Sequence, residues 1–292
     1  MTTGHSSQSE PTWLIVVRLL RWDKPAGRLI LMIPALWAVV LAARGTPPLP
    51  LVGVIVLGTL ATSAAGCVVN DLWDRNIDPK VQRTRMRPLA SRALSVRTGL
   101  AVLLVSLVCA WGLSLYLNPL SFWLSVAAVP VILLYPLAKR VFPVPQLVLS
   151  IAWGFAVLIS WSAVTGTLEP ATWLLWGATV LWTLAFDTVY AMSDREDDRQ
   201  IGVKSSALFF GRYAAQAVGA FFTGAAVLLA REGWLLSLGW GFWLALGLAV
   251  LGWIWHYRQL TPTHPNPTVY GQIFQQNVWI GFVLLVGMAA GF

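Results

Sequence analysis

Asn70, Asp71, Asp74 and Asp78 close an otherwise apolar segment and lead directly into Lys80, Arg83, Arg85 and Arg87. On a helix Asn70, Asp74 and Asp78 recur every four residues, with Asp71 three before Asp74, so the four polar heads lie on or beside one face. Carboxylates that close repel one another unless a cation stands between them. The donors are hard oxygens with no His or Cys among them, a set that suits Mg2+ far better than zinc or copper. A second acidic stretch runs through Asp187, Tyr190, Asp194, Glu196, Asp197 and Asp198. Asp187, Tyr190, Asp194 and Asp198 trace one helical stripe, and basic residues again stand in and after it, at Arg195, Arg199 and Lys204. Of the 12 acidic residues in the chain, only Glu10, Asp23, Glu169 and Glu232 lie outside these two stretches. A concentration of that kind asks for a chemical reason.

The elements that position these groups are membrane helices. The chain has 292 residues, 57% of them hydrophobic and 11% charged, with a mean hydropathy of +0.69. A water-soluble globule would carry about a quarter charged residues, so the sequence describes an all-α integral membrane protein. The net charge of +8 is not a nucleic-acid footprint, because the basic residues flank apolar segments instead of forming a continuous polar stripe. Cys67 and Cys109 lie inside apolar segments with no second thiol or His at ligand spacing, and are expected to be packing residues. Residues 1–12 are polar and lack the features of a signal peptide. They are expected to form a disordered cytoplasmic tail, and 13–292 a single polytopic domain.

Crossing a hydrocarbon core of roughly 30 Å takes about 20 apolar residues. That measure gives nine segments, near 25–43, 51–70, 98–117, 119–138, 145–165, 171–190, 212–230, 235–256 and 274–291. With nine spans, every Lys and Arg except Arg44 and Arg231 falls on the side of the N-terminus, which the positive-inside rule makes cytoplasmic. Both acidic stretches lie on that side. Ala215 with Gly219, Ala220 with Gly224, and Gly241 with Ala245 and Ala249 are small residues one helical turn apart, the pattern that lets helices approach closely in lipid. Most of the Trp residues read as packing or interfacial anchors. The polar stretch 257–272, with Pro262, Pro265 and Pro267, reads as a mobile connector, and His264 within it has no evident partner.

Acidic residues at helix ends are often no more than a solvated face. Here Asp187 follows Ala185 and Phe186 inside an apolar run, where a carboxylate costs about 2.5–3.5 kcal/mol on insertion scales, so a partner or a cavity is implied. An ion-coupled transporter is one alternative, but transporters tend to place their polar breaks near the midplane. These clusters stand instead at cytoplasmic helix ends backed by Arg and Lys, which would not line a cation path. Carboxylates beside basic groups suit a ligand that is itself a metal-complexed polyanion, with Mg2+ bridging to phosphate oxygens and the cations taking the rest. A diphosphate meets that description.

Two motifs carry a resemblance. The first runs Asn70-Asp71-x-x-Asp74-x-x-x-Asp78, then Arg83-Thr84 and Arg87-Pro88-Leu89. The second runs Asp187-Thr188-x-Tyr190-Ala191-Met192-x-Asp194-Arg195-x-Asp197-Asp198, then Ile201-Gly202-x-Lys204-Ser205. Together with Arg21-Trp22-Asp23-Lys24-Pro25-Ala26-Gly27, Tyr135-Pro136-x-x-Lys139-Arg140, Pro145-Gln146 and Asn277-x-Trp279-x-Gly281, they resemble the UbiA superfamily of intramembrane aromatic prenyltransferases, from about residue 18 to the C-terminus. Within it the likeness is greatest to the subgroup that acts on 4-hydroxybenzoate.

The resemblance implies nine transmembrane helices bundled around a central cavity, capped by cytoplasmic loops. It implies a polyprenyl diphosphate held through Mg2+ by Asn70, Asp74, Asp78, Asp194 and Asp198, with Asp71 beside them. It further implies transfer of the prenyl group to the ring carbon ortho to the hydroxyl, in quinone biosynthesis of the ubiquinone or plastoquinone type. The bilayer delivers the prenyl substrate, and a bacterial inner membrane with its site facing the cytoplasm is the expected location. Arg83, Arg87, Arg195 and Lys204 are expected on the diphosphate, and Asp187, Tyr190 and Asp194 at the chemistry. Arg140, with Lys139 next, is expected to receive the acceptor's carboxylate, since guanidinium offers a planar two-point match; the two cations could also do no more than set topology. Relatives that use homogentisate share the metal motifs and form the alternative. Arg28 stands where related sequences carry a small residue, and either snorkels to the interface or reaches the diphosphate.

Overall fold

A computed structural model describes residues 10–262 and 266–292, and among them there are helices and turns but no strand. In chain order the helices are α1 (Thr12–Leu19), α2 (Ala26–Ala42), α3 (Leu49–Asp74), α4 (Val96–Ser114), α5 (Pro119–Leu134), α6 (Ala138–Val141), α7 (Pro145–Thr165), α8 (Pro170–Ser193), α9 (Arg195–Ile201), α10 (Ser206–Phe210), α11 (Ala214–Leu235), α12 (Trp240–Leu260) and α13 (Thr268–Ala289). Each of the nine expected apolar segments is a helix among the described residues. Seven helical stretches are long and apolar enough to cross a membrane, and α2 is a shorter apolar helix of 17 residues. The protein is therefore a multi-pass membrane protein, with α12 as a further long helix in the bundle.

The boundaries follow local chemistry. Proline opens α5, α7 and α8, where its missing N–H removes no helical bond. Asn118 caps α5, its Oδ1 accepting from the Ser121 amide at 3.0 Å. At α13 the polar onset misleads: Asn266 Oδ1 accepts from the Thr268 amide and hydroxyl at 3.1 and 2.9 Å and starts the helix six residues earlier than expected. The connector expected over 257–272 thus shrinks to the segment between Leu260 and Thr268. Gln276, itself exposed, sets Oε1 2.8 Å from Nε2 of the buried His256. His264 lies outside the described residues, as do residues 1–9 of the expected tail, whose last member, Thr12, is the first residue of α1.

The packing is uneven, and that unevenness makes the site. Helices α2, α7, α8, α11, α12 and α13 share one core around Trp37, Trp182, Phe186 and Phe242. Asn277 bolts it: its Oδ1 accepts from the indoles of Trp182 and Trp253 at 2.9 and 3.2 Å, and its Nδ2 donates to the Ile273 carbonyl. Gly281 lets α13 approach α2, since a Cβ there would stand 2.9 Å from Ile33 Cγ2, and its carbonyl accepts from Trp37 Nε1 at 2.9 Å. The expected small-residue pairs behave alike: a Cβ on Gly224 would meet Leu181 at 2.7 Å, and one on Gly241 would meet Ala290 at 3.0 Å. By contrast α4 packs mainly on α3 and α5 mainly on α7, while α5 scarcely touches α3 or α4 and both leave most of their surface uncovered. Between α3, α4, α5, α7, the start of α2 and the start of α13 lies a mostly apolar cavity of about 1140 Å³.

Candidate active site

Both acidic stretches end at the same mouth of the bundle, because α3 and α8 run in the same direction and their terminal turns are tied together. In the first stretch Asp71, Asp74 and Asp78 are each at most 3% exposed, and each meets a cation from a different element. Arg21, between α1 and α2, donates from Nη2 to Asp71 Oδ1 at 2.6 Å. Arg87 Nη1 lies 2.9 Å from Asp78 Oδ2 and 3.4 Å from Asp71 Oδ1. Lys139 Nζ donates to Asp74 Oδ2 at 2.5 Å. Asn70, on the same face, sets its amide nitrogen 3.2 Å from Asp74 Oδ2 and its oxygen 3.1 Å from Arg87 Nη1. Arg21 holds a left-handed backbone (φ 56°), costing roughly 1–2 kcal/mol in a residue with a Cβ, and its ion pair with Asp71 offsets that strain.

In the second stretch Arg83, from the loop after α3, reaches across to α8. It pairs with Asp194 through Nε and Nη2 and donates from Nη1 to the Tyr190 hydroxyl at 3.1 Å. Its guanidinium lies over the Tyr190 ring, 4.6 Å from the centroid. Burial works against the Arg83 charge, but its bonds to Asp194 and the electron-rich Tyr190 outweigh it, so its pKa is raised. The Gln82 amide donates to Asp197 Oδ2 at 3.2 Å and joins the two loops again. Burial pushes the Asp198 carboxyl up to about 6; the Ser205 hydroxyl pulls it down and the Asp194 charge adds to the rise.

The structure separates the expected site residues into three groups. Asn70, Asp187 and Tyr190 line the cavity itself. Asp71, Asp74, Asp78, Asp194 and Asp198, with Arg83, Arg87 and Lys139, form the charged rim above it. Arg140, Lys204 and Arg195 are turned elsewhere, contrary to expectation: Arg140 Nη2 donates to the Trp73 carbonyl at 2.8 Å, Lys204 Nζ to the Val141 carbonyl at 2.7 Å, and Arg195 Nη2 to the Gly211 carbonyl at 2.9 Å. Carbonyls at the ends of α3, α6 and α10 need donors, and these long side chains supply them. Neither Lys139 nor Arg140 lines the cavity. The basic residues that do are Arg21, Lys24 and Arg28. Arg28 does not snorkel: it is 8% exposed and sits against the Trp22 ring, 5.3 Å from the centroid. Arg21 carried a signal in the sequence as part of the matched N-terminal motif, though its partner Asp71 was not readable there.

The rim fits a hard cation. Among the described residues no group of three His, Cys, Asp or Glu side chains converges by itself, because the intervening Arg and Lys already balance the carboxylates pairwise. Yet Asp74 Oδ1 is buried with no hydrogen-bond partner, an acceptor whose desolvation is uncompensated. Asn70 and Asp78, both joined to Arg87, carry further oxygens of the kind Mg2+ prefers. Diphosphate recognition would use the same rim, since Arg87 engages the carboxylates through Nη1 alone.

An all-helical membrane bundle that holds an apolar cavity under a rim of balanced carboxylates and guanidiniums is built to bring a charged head and a hydrophobic body into one site. The UbiA prenyltransferase family model matches residues 31–278, and the chain belongs to that family. It is 69% identical over 288 residues to the 4-hydroxybenzoate solanesyltransferase of Synechocystis sp., covering 99% of each chain. Among solved structures it resembles the UbiA homologue of Aeropyrum pernix K1, with a TM-score of 0.78 and 25% identity over 89% of this chain and 96% of that one. A UbiA homologue from Archaeoglobus fulgidus bound to GPP and Mg2+ shares the fold, with a TM-score of 0.70 and 20% identity over 92% of this chain and 99% of that one.

Proposed function

We propose that the protein transfers a polyprenyl group from polyprenyl diphosphate to the ring carbon of 4-hydroxybenzoate ortho to its hydroxyl, releasing diphosphate. The observation that carries this reading is that Asp187 and Tyr190 face an apolar cavity whose mouth is the charged rim, so tail, ring and diphosphate each have a matching surface. The name of the Synechocystis relative supports the acceptor and makes a solanesyl-length donor the first to test. Asn70, Asp74, Asp78, Asp194 and Asp198 would hold Mg2+, which when bound offsets the charge of the leaving diphosphate.

Arg83 and Arg87 bind diphosphate oxygens and hold the head group at the cavity mouth. The allylic C–O bond breaks with its electron pair going to the diphosphate. The apolar walls from α3, α5 and α7 keep water from the allylic cation, which would otherwise be captured as a prenol. Asp187 accepts the phenol's hydrogen bond and raises electron density at the ortho carbon, which attacks; a base then removes the ring proton. Tyr190, held by Arg83, fixes that end of α8 against the rim. The prenyl tail lies along the side where α5 scarcely touches α3 and α4, and continues into lipid.

The positive-inside pattern supports a rim facing the cytoplasm and a C-terminus on the far side, and the bacterial relative supports an inner membrane; a reporter fused at Phe292 that reads as cytoplasmic would overturn the orientation. The activity is tested with membranes containing the protein, radiolabelled 4-hydroxybenzoate and solanesyl diphosphate. A labelled product extractable into organic solvent is expected. No product, together with ion flux in proteoliposomes, would favour a transporter, and preference for homogentisate in direct competition would change the acceptor.

A further inference from the structure

Arg28 is the one cation at the cavity that is buried and forms no ion pair among the described residues; the carboxylate whose charge reaches it, Asp23, is exposed and outside ion-pair distance. A guanidinium keeps its charge in any protein, and an unpaired buried charge is strongly unfavourable. Yet Arg28 is 8% exposed, its Nε and Nη2 are buried with no hydrogen-bond partner, and it takes part in no ion pair among the described residues. The Trp22 face at 5.3 Å offers only part of what water would supply. The neighbouring basic residues differ in kind: Arg21, Arg83, Arg87 and Lys139 each engage a carboxylate of the rim. Lys24 lines the cavity too, but is exposed at its edge.

The position of Arg28 says which anion it serves. It lies in the first turn of α2, where the amides of Ala26 and Gly27 have no helical carbonyl to bond and add partial positive charge. These residues line the cavity below the rim. On the reading above the diphosphate belongs to the rim, where Asp74 Oδ1 and the unused Arg87 nitrogens are open to it and its metal. The other anionic group in the reaction is the carboxylate of the acceptor. That molecule is rigid, with its hydroxyl and carboxylate at opposite ends of one ring, so it needs a hydrogen-bond acceptor at one end and a cation at the other. Asp187 lines the same cavity and has no hydrogen-bond partner among the described residues, which supplies the first.

We propose that Arg28 is the specificity-determining residue for the acceptor: its guanidinium receives the carboxylate of the aromatic acid and holds the ring with its hydroxyl toward Asp187. This rests on the acceptor reading given above. Arg28 breaks no hydrogen bond in turning toward the ligand, because it has none to break, and the planar fork suits a carboxylate in a way an ammonium does not. It replaces Arg140 and Lys139 in that role, since both are directed to the end of α3.

The test uses the full-length protein in nanodiscs, with Arg28→Gln and Arg28→Lys beside the wild type and two acceptors, 4-hydroxybenzoate and the neutral 4-hydroxybenzamide. Wild-type activity is measured first: no product from 4-hydroxybenzoate overturns the functional reading and this assignment with it. Given wild-type activity, Arg28→Gln should raise the KM for 4-hydroxybenzoate about 10- to 100-fold, the loss usual for a charge-assisted pair. The KM for the prenyl diphosphate should stay within about twofold, and the preference for acid over amide should collapse. Arg28→Lys should fall between, and carries the same test if the Gln variant does not insert. An unchanged acid-to-amide preference in the variants would overturn the assignment while leaving the functional reading intact. So would a KM for the prenyl diphosphate that rises as much as that for the acceptor, which would move Arg28 to the diphosphate.

Discussion

The two acidic stretches carry the same charge to the same mouth of the bundle and are built in opposite ways. Asp71, Asp74 and Asp78 are at most 3% exposed, and their cations come from separate parts of the chain, at residues 21, 87 and 139. In the second stretch Asp194 depends on Arg83, whose side chain is 37% exposed, Asp198 is half-buried, and Asp187 has no protein partner among the described residues. The helices that carry them differ in the opposite sense at depth: 67% of the α8 span is buried against 33% of the α3 span, so the contrast belongs to the charged ends and not to the helices below them. Buried carboxylates that each hold a cation are costly to disturb, whereas a pair whose cation is 37% exposed is exchanged more cheaply. The first stretch is thus a fixed anchor on which the cavity is assembled. The second is the side expected to exchange its contacts when substrate binds, since its cation is the more exposed.

The largest effect that probes this contrast is removal of divalent ions. Treatment of purified protein with EDTA should abolish prenyl transfer, and added Mg2+ should restore it; full activity after chelation would break the reading of both stretches at once. Asp74→Asn and Asp194→Asn each remove a ligand charge at nearly constant volume and should lower kcat by roughly a thousandfold or more, as loss of a charged group that acts in the transition state does. The contrast predicts that they part company in stability. Asp74→Asn leaves Lys139 facing a buried site without its counter-charge, and should lower the unfolding midpoint by several degrees. Asp194→Asn should leave that midpoint within about two degrees, since Arg83 is exposed enough to be rehydrated. Equal shifts would erase the distinction drawn here.

Arg83→Gln comes next, because it cuts the strut between the stretches while leaving every carboxylate in place. The residue loses its pair with Asp194 and its bond to Tyr190, so kcat should fall roughly 10- to 100-fold. The unfolding midpoint should barely move. A variant that unfolds early instead would show that the second stretch is as fixed as the first.

Much of this was readable in the residues, and the exceptions have physical causes. The apolar runs gave α2 and α7 almost to the residue, because Pro25, Pro145 and Gly166 mark their ends. Helix α13 was cut short because Thr268, Gly271 and Gln272 read as a loop, and the Asn266 cap that starts the helix there is a side-chain contact. The clustering of acids and bases at one end was legible as charge spacing. Which cation meets which acid was not, since Arg21 reaches Asp71 across 50 residues and Lys139 reaches Asp74 across 65. Composition also could not show that Arg28 is buried: a lone Arg early in an apolar run looks like one that snorkels.

Arg140 sets the smallest and most discriminating test. The resemblance and its place at a cytoplasmic helix end assigned it to the acceptor's carboxylate, while its geometry ties it to the Trp73 carbonyl at 2.8 Å and brings it 4.0 Å from Asp74 Oδ1. A residue so placed acts on the first stretch by holding the last turn of α3, from which Asp74 projects. With its side chain 41% exposed, the lost bonds are screened, and Arg140→Gln should reduce kcat/KM only about two- to fivefold. That reduction should be the same with 4-hydroxybenzoate and with the prenyl diphosphate as the varied substrate, because a disturbed Asp74 weakens a site both must use. Arg28→Gln should separate the two substrates sharply. If Arg140→Gln instead raised the KM for 4-hydroxybenzoate tenfold and left the prenyl diphosphate untouched, the carboxylate would belong at the end of α6. The fixed stretch would then be holding an acceptor as well as a diphosphate, and the division between a rigid anchor and an adjustable face would have to be drawn elsewhere.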